Sequence, residues 1–235
     1  MLFRSRSDPV GVINISKITL YKFRSLANQV DFDRAKAIME TGHFWCSKFS
    51  ELNDPMEGVF FMIASNIESA REKIDDIYSE KNRYKICSFS GAGAFRNPAM
   101  WGYYANGFRG MAIEIEVDEK EVEKINLAND IVSIENSIAS DYDVKKILTT
   151  KLACWKHEDE HRFLRKSESN YHKIGKINTV YFGSPYKDTI NHQTIYSASH
   201  ILSNYNDLKN ELKNVANGIT CYSVKVDGDK VVKVT

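Results

Sequence analysis

Two histidines and two glutamates are crowded into residues 155–162, which read Trp-Lys-His-Glu-Asp-Glu-His-Arg. On a helix, His157 and His161 would lie one turn apart and could bind zinc, with Glu158 as the general base. Both variable positions of this His-Glu-x-x-His match are acidic, whereas a buried zinc helix usually carries apolar or neutral residues there. The sequence therefore disfavours a zinc hydrolase and predicts no metal ligands, but it leaves that alternative open.

The same stretch can also be interpreted as an extended strand, in which Glu158 and Glu160 point to one side. Two like charges on one face cost free energy unless a site uses them, and their proximity is expected to raise the pKa of one carboxyl. Such a carboxyl can act in acid–base catalysis or stabilise a cation near neutral pH. If the chain is an enzyme, we therefore expect its catalytic acid here. A solvated edge strand with Arg162 as ion-pair partner is the alternative without chemistry.

Other polar residues end apolar segments upstream. Arg24 ends the first predicted strand, and Ser88 and Ser90 end a later one. Strand ends are positions from which side chains reach a cleft. The order Arg, Ser-x-Ser, Glu-x-Glu resembles the signature of the arginine-serine-glutamate class of ADP-ribosyltransferases.

This resemblance implies a cleft that binds NAD as a substrate. Arg24 would bind the dinucleotide phosphates through its planar fork of donors, and the hydroxyls of Ser88 and Ser90 would fix the strand and a ribose. Glu160 would stabilise the oxocarbenium character that develops as nicotinamide departs, and Glu158 would position the acceptor nucleophile. The acceptor would be a protein or a nucleic acid, or NAD would be hydrolysed. A toxin or phage-defence setting fits such an enzyme.

A second resemblance covers residues 20–183. It consists of six blocks in the order found in a bacterial family catalogued as domain of unknown function 2971, and the sequence departs from that family's pattern at Gly102-Tyr103, where Ser-His is more usual. The blocks are Leu-Tyr-Lys-Phe-Arg-Ser at 20–25, Leu-Asn-Asp-Pro-Met-Glu at 52–57, Cys-Ser-Phe-Ser at 87–90, Met-Trp-Gly-Tyr-Tyr-Ala at 100–105, the stretch 151–162 and Val-Tyr-Phe-Gly at 180–183. The family name supplies no activity, but the resemblance implies that these blocks belong to one architecture.

Four residues in these blocks are further candidate NAD contacts. The rings of Tyr21, Trp101 and Tyr104 could stack on nicotinamide or adenine, although a core position is the plainer interpretation of a tryptophan. Asn53 could hydrogen-bond the ligand, although Asn-Asp-Pro at 53–55 is typical of a structural turn. The competing hypothesis is a non-catalytic sensor or interaction domain, in which the same polar residues form a buried hydrogen-bonded network.

Apolar periodicity indicates the elements that must position these residues. The predicted strands are 18–23, 43–46, 86–90, 109–117, 180–182, 220–226 and 231–234. The predicted helices are 33–40, 68–81, 99–105, 141–152 and 196–215. Gly42 is placed to cap the first helix, and the segment around Gly91 and Gly93 is predicted to be a flexible loop. The irregular order of strands and helices predicts an α+β fold with a mainly antiparallel sheet, and the resemblance to transferases adds a split in that sheet.

Composition predicts one globular domain over residues 1–235, because hydrophobic residues make up 43% and charged residues 27% of the chain. The 32 basic and 31 acidic side chains nearly cancel, so no global field would attract nucleic acid or an anionic membrane. Apolar runs fall short of the ~20 residues that a membrane helix needs, and no signal peptide is recognisable. We therefore expect a cytoplasmic protein without a membrane partner, whose four irregularly spaced cysteines are small buried residues.

Overall fold

The computed structural model describes residues 16–64, 66–135, 141–185, 196–216 and 218–234. Strands and helices are interleaved throughout, as predicted for an α+β fold. In chain order the elements are β1 (Lys17–Ser25), α1 (Gln29–Thr41), β2 (His43–Trp45), β3 (Phe60–Ile63), α2 (Ile67–Arg83), β4 (Tyr84–Ser90), α3 (Ala92–Phe95), α4 (Pro98–Tyr104), β5 (Gly110–Asp118), β6 (Glu123–Lys124), β7 (Asn126–Ala128), β8 (Val132–Glu135), α5 (Asp141–Leu148), β9 (Thr150–Leu152), β10 (Glu160–Lys166), β11 (Tyr171–Lys173), β12 (Lys176–Gly183), α6 (Tyr196–Val215), β13 (Thr220–Asp227) and β14 (Lys230–Val234).

Eight strands form the main sheet, in the order β14-β13-β12-β5-β1-β4-β10-β6. Its neighbouring strands are antiparallel except for β12 and β13, which are parallel. Three two-stranded sheets flank it: β2 with β11, β3 with β8, and β7 with β9. The prediction of a mainly antiparallel sheet is therefore confirmed.

The main sheet is split between β1 and β4. β1 pairs with β5 along nine residues, and β4 pairs with β10 along seven, but β1 and β4 share only the pair Tyr21 and Ser90. Beyond this pair, the Lys22 side chain spans the gap and its Nζ donates to the Ser88 carbonyl oxygen at 2.7 Å. The split leaves space between two strands that carry predicted site residues.

The sequence patterns explain the packing on both faces of the sheet. Alternating residues of β5, from Met111 to Val117, lie in one core cluster with the apolar faces of α1 and α6. α1 begins where Asn28 accepts from the Asp31 amide, and it ends at Gly42, whose φ of 70° suits glycine. A second cluster on the other face includes residues of α3 and α4. This two-faced packing holds β1, β4 and β10 in place.

The predicted strands and helices are found, with two corrections, and one prediction on the cysteines is also corrected. The helix predicted for 141–152 ends at Leu148, because the chain from Thr150 pairs as β9 with β7. The segment after Gly91 is the short helix α3 rather than a flexible loop. Cys46 and Cys87 are buried as predicted, but Cys154 is exposed. None of the helices in the described ranges is long and apolar enough to cross a membrane.

Candidate active site

A cavity of about 390 Å³ opens where β1 and β4 diverge. We call it the cleft. Eight of the nine predicted site residues line it, namely Tyr21, Arg24, Asn53, Ser88, Ser90, Tyr104, Glu158 and Glu160. Residues from widely separated parts of the sequence thus meet in one place.

The strand order brings the predicted motifs onto adjacent strands. β4 and β10 run antiparallel, with Ser90 opposite Glu160 and Ser88 opposite Arg162. Tyr21 of β1 lies opposite Ser90 on the other side of β4. Because residues two apart on a strand share a face, the serines and Glu160 point to the same side. The order β10-β4-β1 therefore aligns the Glu, Ser-x-Ser and Arg motifs.

Arg162 is a buried structural cation rather than a ligand-binding residue. Its side chain is 1% exposed, and it donates to both carboxylate oxygens of Glu57, at 2.5 and 2.8 Å. It also donates to Glu160 at 2.7 and 3.2 Å and to the Leu148 carbonyl at 2.7 Å. These contacts use all the donor groups of the guanidinium. Arg162 therefore fixes Glu160 from beneath the cleft.

The environment of Glu160 favours its anionic form. Burial raises the pKa of Glu160, but Arg162, Lys151 and the Ser88 hydroxyl outweigh burial and lower this pKa to about 2. Glu160 is therefore not the carboxyl whose pKa crowding raises, because Arg162 and Lys151 lie beside it. Glu160 is ionised at neutral pH, so it cannot donate a proton there. It remains suited to stabilising a cation.

Glu158 is held by two partners at the same end of the cleft. Lys151 Nζ lies 2.6 Å from Glu158 Oε2 and 3.2 Å from Glu160 Oε2, and it also lies 4.5 Å from the centre of the Trp155 ring. The Tyr104 hydroxyl donates to Glu158 Oε1. Burial and this bond to Glu158 both raise the pKa of Tyr104. Lys151 is a site residue that sequence reasoning missed, since nothing in its spacing distinguishes it from other lysines.

The two glutamates do not share one extended strand, contrary to the prediction. Glu158 ends a 3₁₀ helix (Ala153–Glu158), Asp159 has a left-handed backbone with φ of 44°, and Glu160 begins β10. The Gly91 amide donates to the Asp159 carbonyl at 2.8 Å. A Cβ atom at Gly91 would lie 2.1 Å from Asp159 Oδ2. The turn at Asp159 therefore packs against Gly91, and the carboxylates of Glu158 and Glu160 both contact Lys151.

Trp101 has a core position, which was the plainer interpretation of its type, and does not line the cleft as a candidate NAD contact would. It is fully buried, and its ring stacks on Phe108 at 5.5 Å and meets Phe23 edge-on at 5.3 Å. Its Nε1 donates to the Phe95 carbonyl at 2.8 Å. With its faces and its donor already used, the indole has no surface left for a nucleotide.

The α-helix that the zinc hypothesis requires is not formed by residues 157–161. His157 lies in the 3₁₀ helix and His161 in β10. The Nδ1 atoms of these rings lie 3.2 and 3.1 Å from the carbonyl oxygens of Cys154 and Asp159. Among the residues whose positions are described, no three His, Cys, Asp or Glu side chains form a group that could hold a metal ion.

Arg24 of β1 also lines the cleft, and it forms no salt bridge within the described part of the chain. Its Nε is buried without a hydrogen-bond partner. Burial lowers the pKa of Arg24, and the nearby Arg34 lowers it further, although Cys87 and Asp31 oppose this effect. In the described part of the chain, no carboxylate forms a salt bridge with either arginine. The region around Arg24 is therefore suited to an anion.

Comparisons with protein-family models, curated proteins and solved structures give no match to this chain. The two resemblances rest on residues of the sequence, and the functional argument rests on the geometry of the cleft.

Proposed function

We propose that the chain is an NAD-dependent, ADP-ribosyltransferase-like enzyme that transfers ADP-ribose to a protein or a nucleic acid, or hydrolyses NAD. The observation that carries this proposal is the meeting of Arg24, Ser88, Ser90 and Glu160 in one cleft at the split of the sheet. The cleft is lined by Arg24, whose Nε is buried without a hydrogen-bond partner among the described residues, and by Glu160, whose pKa is lowered. The cleft therefore offers an anion site and a cation site.

The carboxylates of the cleft suit the bond that would break. When nicotinamide leaves, positive charge develops on the ribose carbon. The side chains of Glu57, Glu158 and Glu160 carry three formal negative charges, against two positive charges on Lys151 and Arg162. This excess of one negative charge favours a cation in the adjoining cleft, and burial strengthens the effect because solvent screening is weak there.

Arg24 suits the part of NAD that stays with the product. A guanidinium binds phosphate oxygens through several parallel donors, so pyrophosphate would supply the acceptors that Arg24 lacks. Neutralising the crowded pair Arg24 and Arg34 would also favour binding. The serines lie on β4, the strand between β1 with Arg24 and β10 with Glu160. This is the place that a ribose would occupy.

A non-catalytic interaction domain is the second candidate. It is favoured by the hydrogen bonds around the glutamates. Glu158, Glu160 and Arg162 all have partners within the protein, without any ligand. In that case Arg162→Met would lower the melting temperature, because it leaves Glu57 and Glu160 buried without their cation. The protein would not turn over NAD, and substitutions in the cleft would not change this.

Label transfer decides between these candidates. Wild-type protein is incubated with cell lysate and NAD labelled in its adenylate phosphate, and the label is followed into macromolecules and into free ADP-ribose. We expect one of these two products, with at least about a 100-fold loss in Glu160→Gln. Glu168→Gln, at an exposed position just beyond β10, is the matched control and should behave as wild type. No product from wild type, or equal product from Glu160→Gln, would refute the enzyme.

A further inference from the structure

A second cavity of about 570 Å³ adjoins the cleft at Arg24. We call it the arginine chamber and define it by Arg24, Arg34, His43, Trp45 and Tyr171, which all line it. Arg24, Arg34 and Trp45 also line the cleft. The two cavities are therefore neighbours with a shared wall, which we call their junction, and both arginines lie in it.

Two exposed aromatic residues form one wall of the arginine chamber. Trp45 of β2 and Tyr171 of β11 are register partners, and their rings meet edge-on at 5.1 Å. Their exposed fractions are 42% and 57%, so neither ring is packed in the core. Aromatic side chains beside a cationic groove are the surface on which nucleotide bases stack.

The charges at the junction favour a phosphate. Arg24 has a buried Nε without an acceptor, and Arg34 is exposed on α1. Two carboxylates are also nearby. Glu51 lines the chamber and accepts from the Lys48 amide at 3.1 Å, while Asp31 lines the cleft and is contacted by the Asn28 amide group at 3.4 Å. Neither carboxylate forms a salt bridge with these arginines, and either could accept from a ribose hydroxyl.

We propose that the arginine chamber binds the adenosine 5′-phosphate half of a dinucleotide. The base would lie against Trp45 and Tyr171, and the phosphates would bind Arg24 and Arg34. The aromatic pair would then contact the base, the arginines the phosphates, and Glu160 the second ribose. This is the order of these three groups along NAD. This inference rests on the proposed function, which puts the nicotinamide riboside at Glu160, and it adds the place of the adenosine.

Calorimetric titration with two half-ligands tests the orientation. AMP represents the half assigned to the arginine chamber, and nicotinamide mononucleotide contains the half assigned to Glu160. We expect Trp45→Ala to weaken AMP binding about tenfold or more, through loss of stacking. Arg34→Ala should weaken it similarly through loss of a phosphate contact, and because Arg34 is exposed, this variant should keep the melting temperature of wild type. Both variants should change binding of nicotinamide mononucleotide less than binding of AMP.

Tyr142→Ala is the matched control, because Tyr142 is 74% exposed on α5 and does not line either cavity. Failure of wild type to bind AMP, or unchanged AMP affinity in both Trp45→Ala and Arg34→Ala, would overturn the inference. If wild type cleaves NAD but these variants bind AMP normally, only the orientation is wrong. If the variants lose AMP binding but wild type does not cleave NAD, the chamber stands as a nucleotide site and the proposed enzyme fails.

Discussion

The side chains around Glu160 favour the ionised form of its carboxyl. Arg162 contacts both of its carboxylate oxygens, and Lys151 contacts one of them from the cleft side. A carboxylate held in this way does not need to gain or lose a proton during turnover. In the proposed enzyme it would stabilise a cation, which is one of the two roles predicted from the crowded glutamates, rather than act as an acid.

The lowered pKa of Glu160 predicts an acid-dependent loss of stability. This pKa is about 2 in the folded protein, against an ordinary value of 4.5, so the unfolded chain binds more protons between these values. The free energy of unfolding should therefore fall as the pH falls from about 4.5 to about 2. A shift of this size corresponds to about 3 kcal/mol at full protonation.

Denaturant unfolding of wild type and Glu160→Gln at pH 7 and pH 3 measures this effect. Because the glutamine side chain introduced by Glu160→Gln cannot titrate, the variant should lose less stability than wild type between the two pH values. Parallel losses in the two proteins would mean that Glu160 is not held as an anion by Arg162 and Lys151.

At the scale of elements, the carboxylates are presented by a turn that docks on β4. Asp159 adopts a left-handed backbone between Glu158 and Glu160, and its side chain lies where a Cβ of residue 91 would be. The position of the Glu-x-Glu motif therefore depends on a glycine at the end of the strand that carries the serines.

Gly91→Ala should displace this turn. The added methyl group would overlap Asp159 Oδ2, and a shift of about 1 Å in Glu158 and Glu160 is enough to reduce the rate of NAD cleavage tenfold or more. Adding Asp159→Gly removes the overlapping carboxylate and suits the positive φ. The double variant should recover most of the rate of NAD cleavage. A double variant as impaired as Gly91→Ala would show that the turn does not dock through this contact.

Local patterns predicted the long elements but not the turn. Alternation is clear in β5, because the face with Met111, Ile113, Ile115 and Val117 is buried along the length of the strand. β6, β7, β9 and β11 have only two or three residues each, so their pairing depends on partners that local periodicity does not reveal. Asp159 has a left-handed backbone and separates Glu158 from Glu160, which local patterns did not predict. This turn packs against Gly91, a residue that is distant in the sequence.

The whole molecule is organised around the split in its sheet. The serines and Glu160 lie on one side of the split and Arg24 on the other, so a ligand that contacted both sides would link its binding to the relative position of the two halves. Lys22 spans the split through its bond to the Ser88 carbonyl, and burial lowers the pKa of this lysine.

Lys22→Met tests this link. The variant leaves the Ser88 carbonyl without its donor, and the free energy of unfolding should fall by about 1–2 kcal/mol. Hydrogen exchange should become faster in β4 near Ser88, while the amides shared by β5 and β12 should exchange as before. Unchanged exchange in β4 would indicate that the halves are held together by other contacts.

The sequence motifs identified eight residues of the cleft but not the relations among them. The motif order found Arg24, Ser88 and Glu160, because each belongs to a short pattern with a chemical role. It could not assign Lys151 to the two glutamates, or pair Trp45 with Tyr171, since these contacts join distant segments through strand register and packing. It also misplaced Trp101, whose type suits a core and a binding site equally well.

The rate of nicotinamide release from NAD by purified protein tests the central claim most directly. Wild type and Glu160→Gln are compared at equal folded fractions, verified by their unfolding curves. Nicotinamide release by wild type, slowed at least about 100-fold in Glu160→Gln, is the predicted result. Release at equal rates by both proteins, or by neither, would contradict the account.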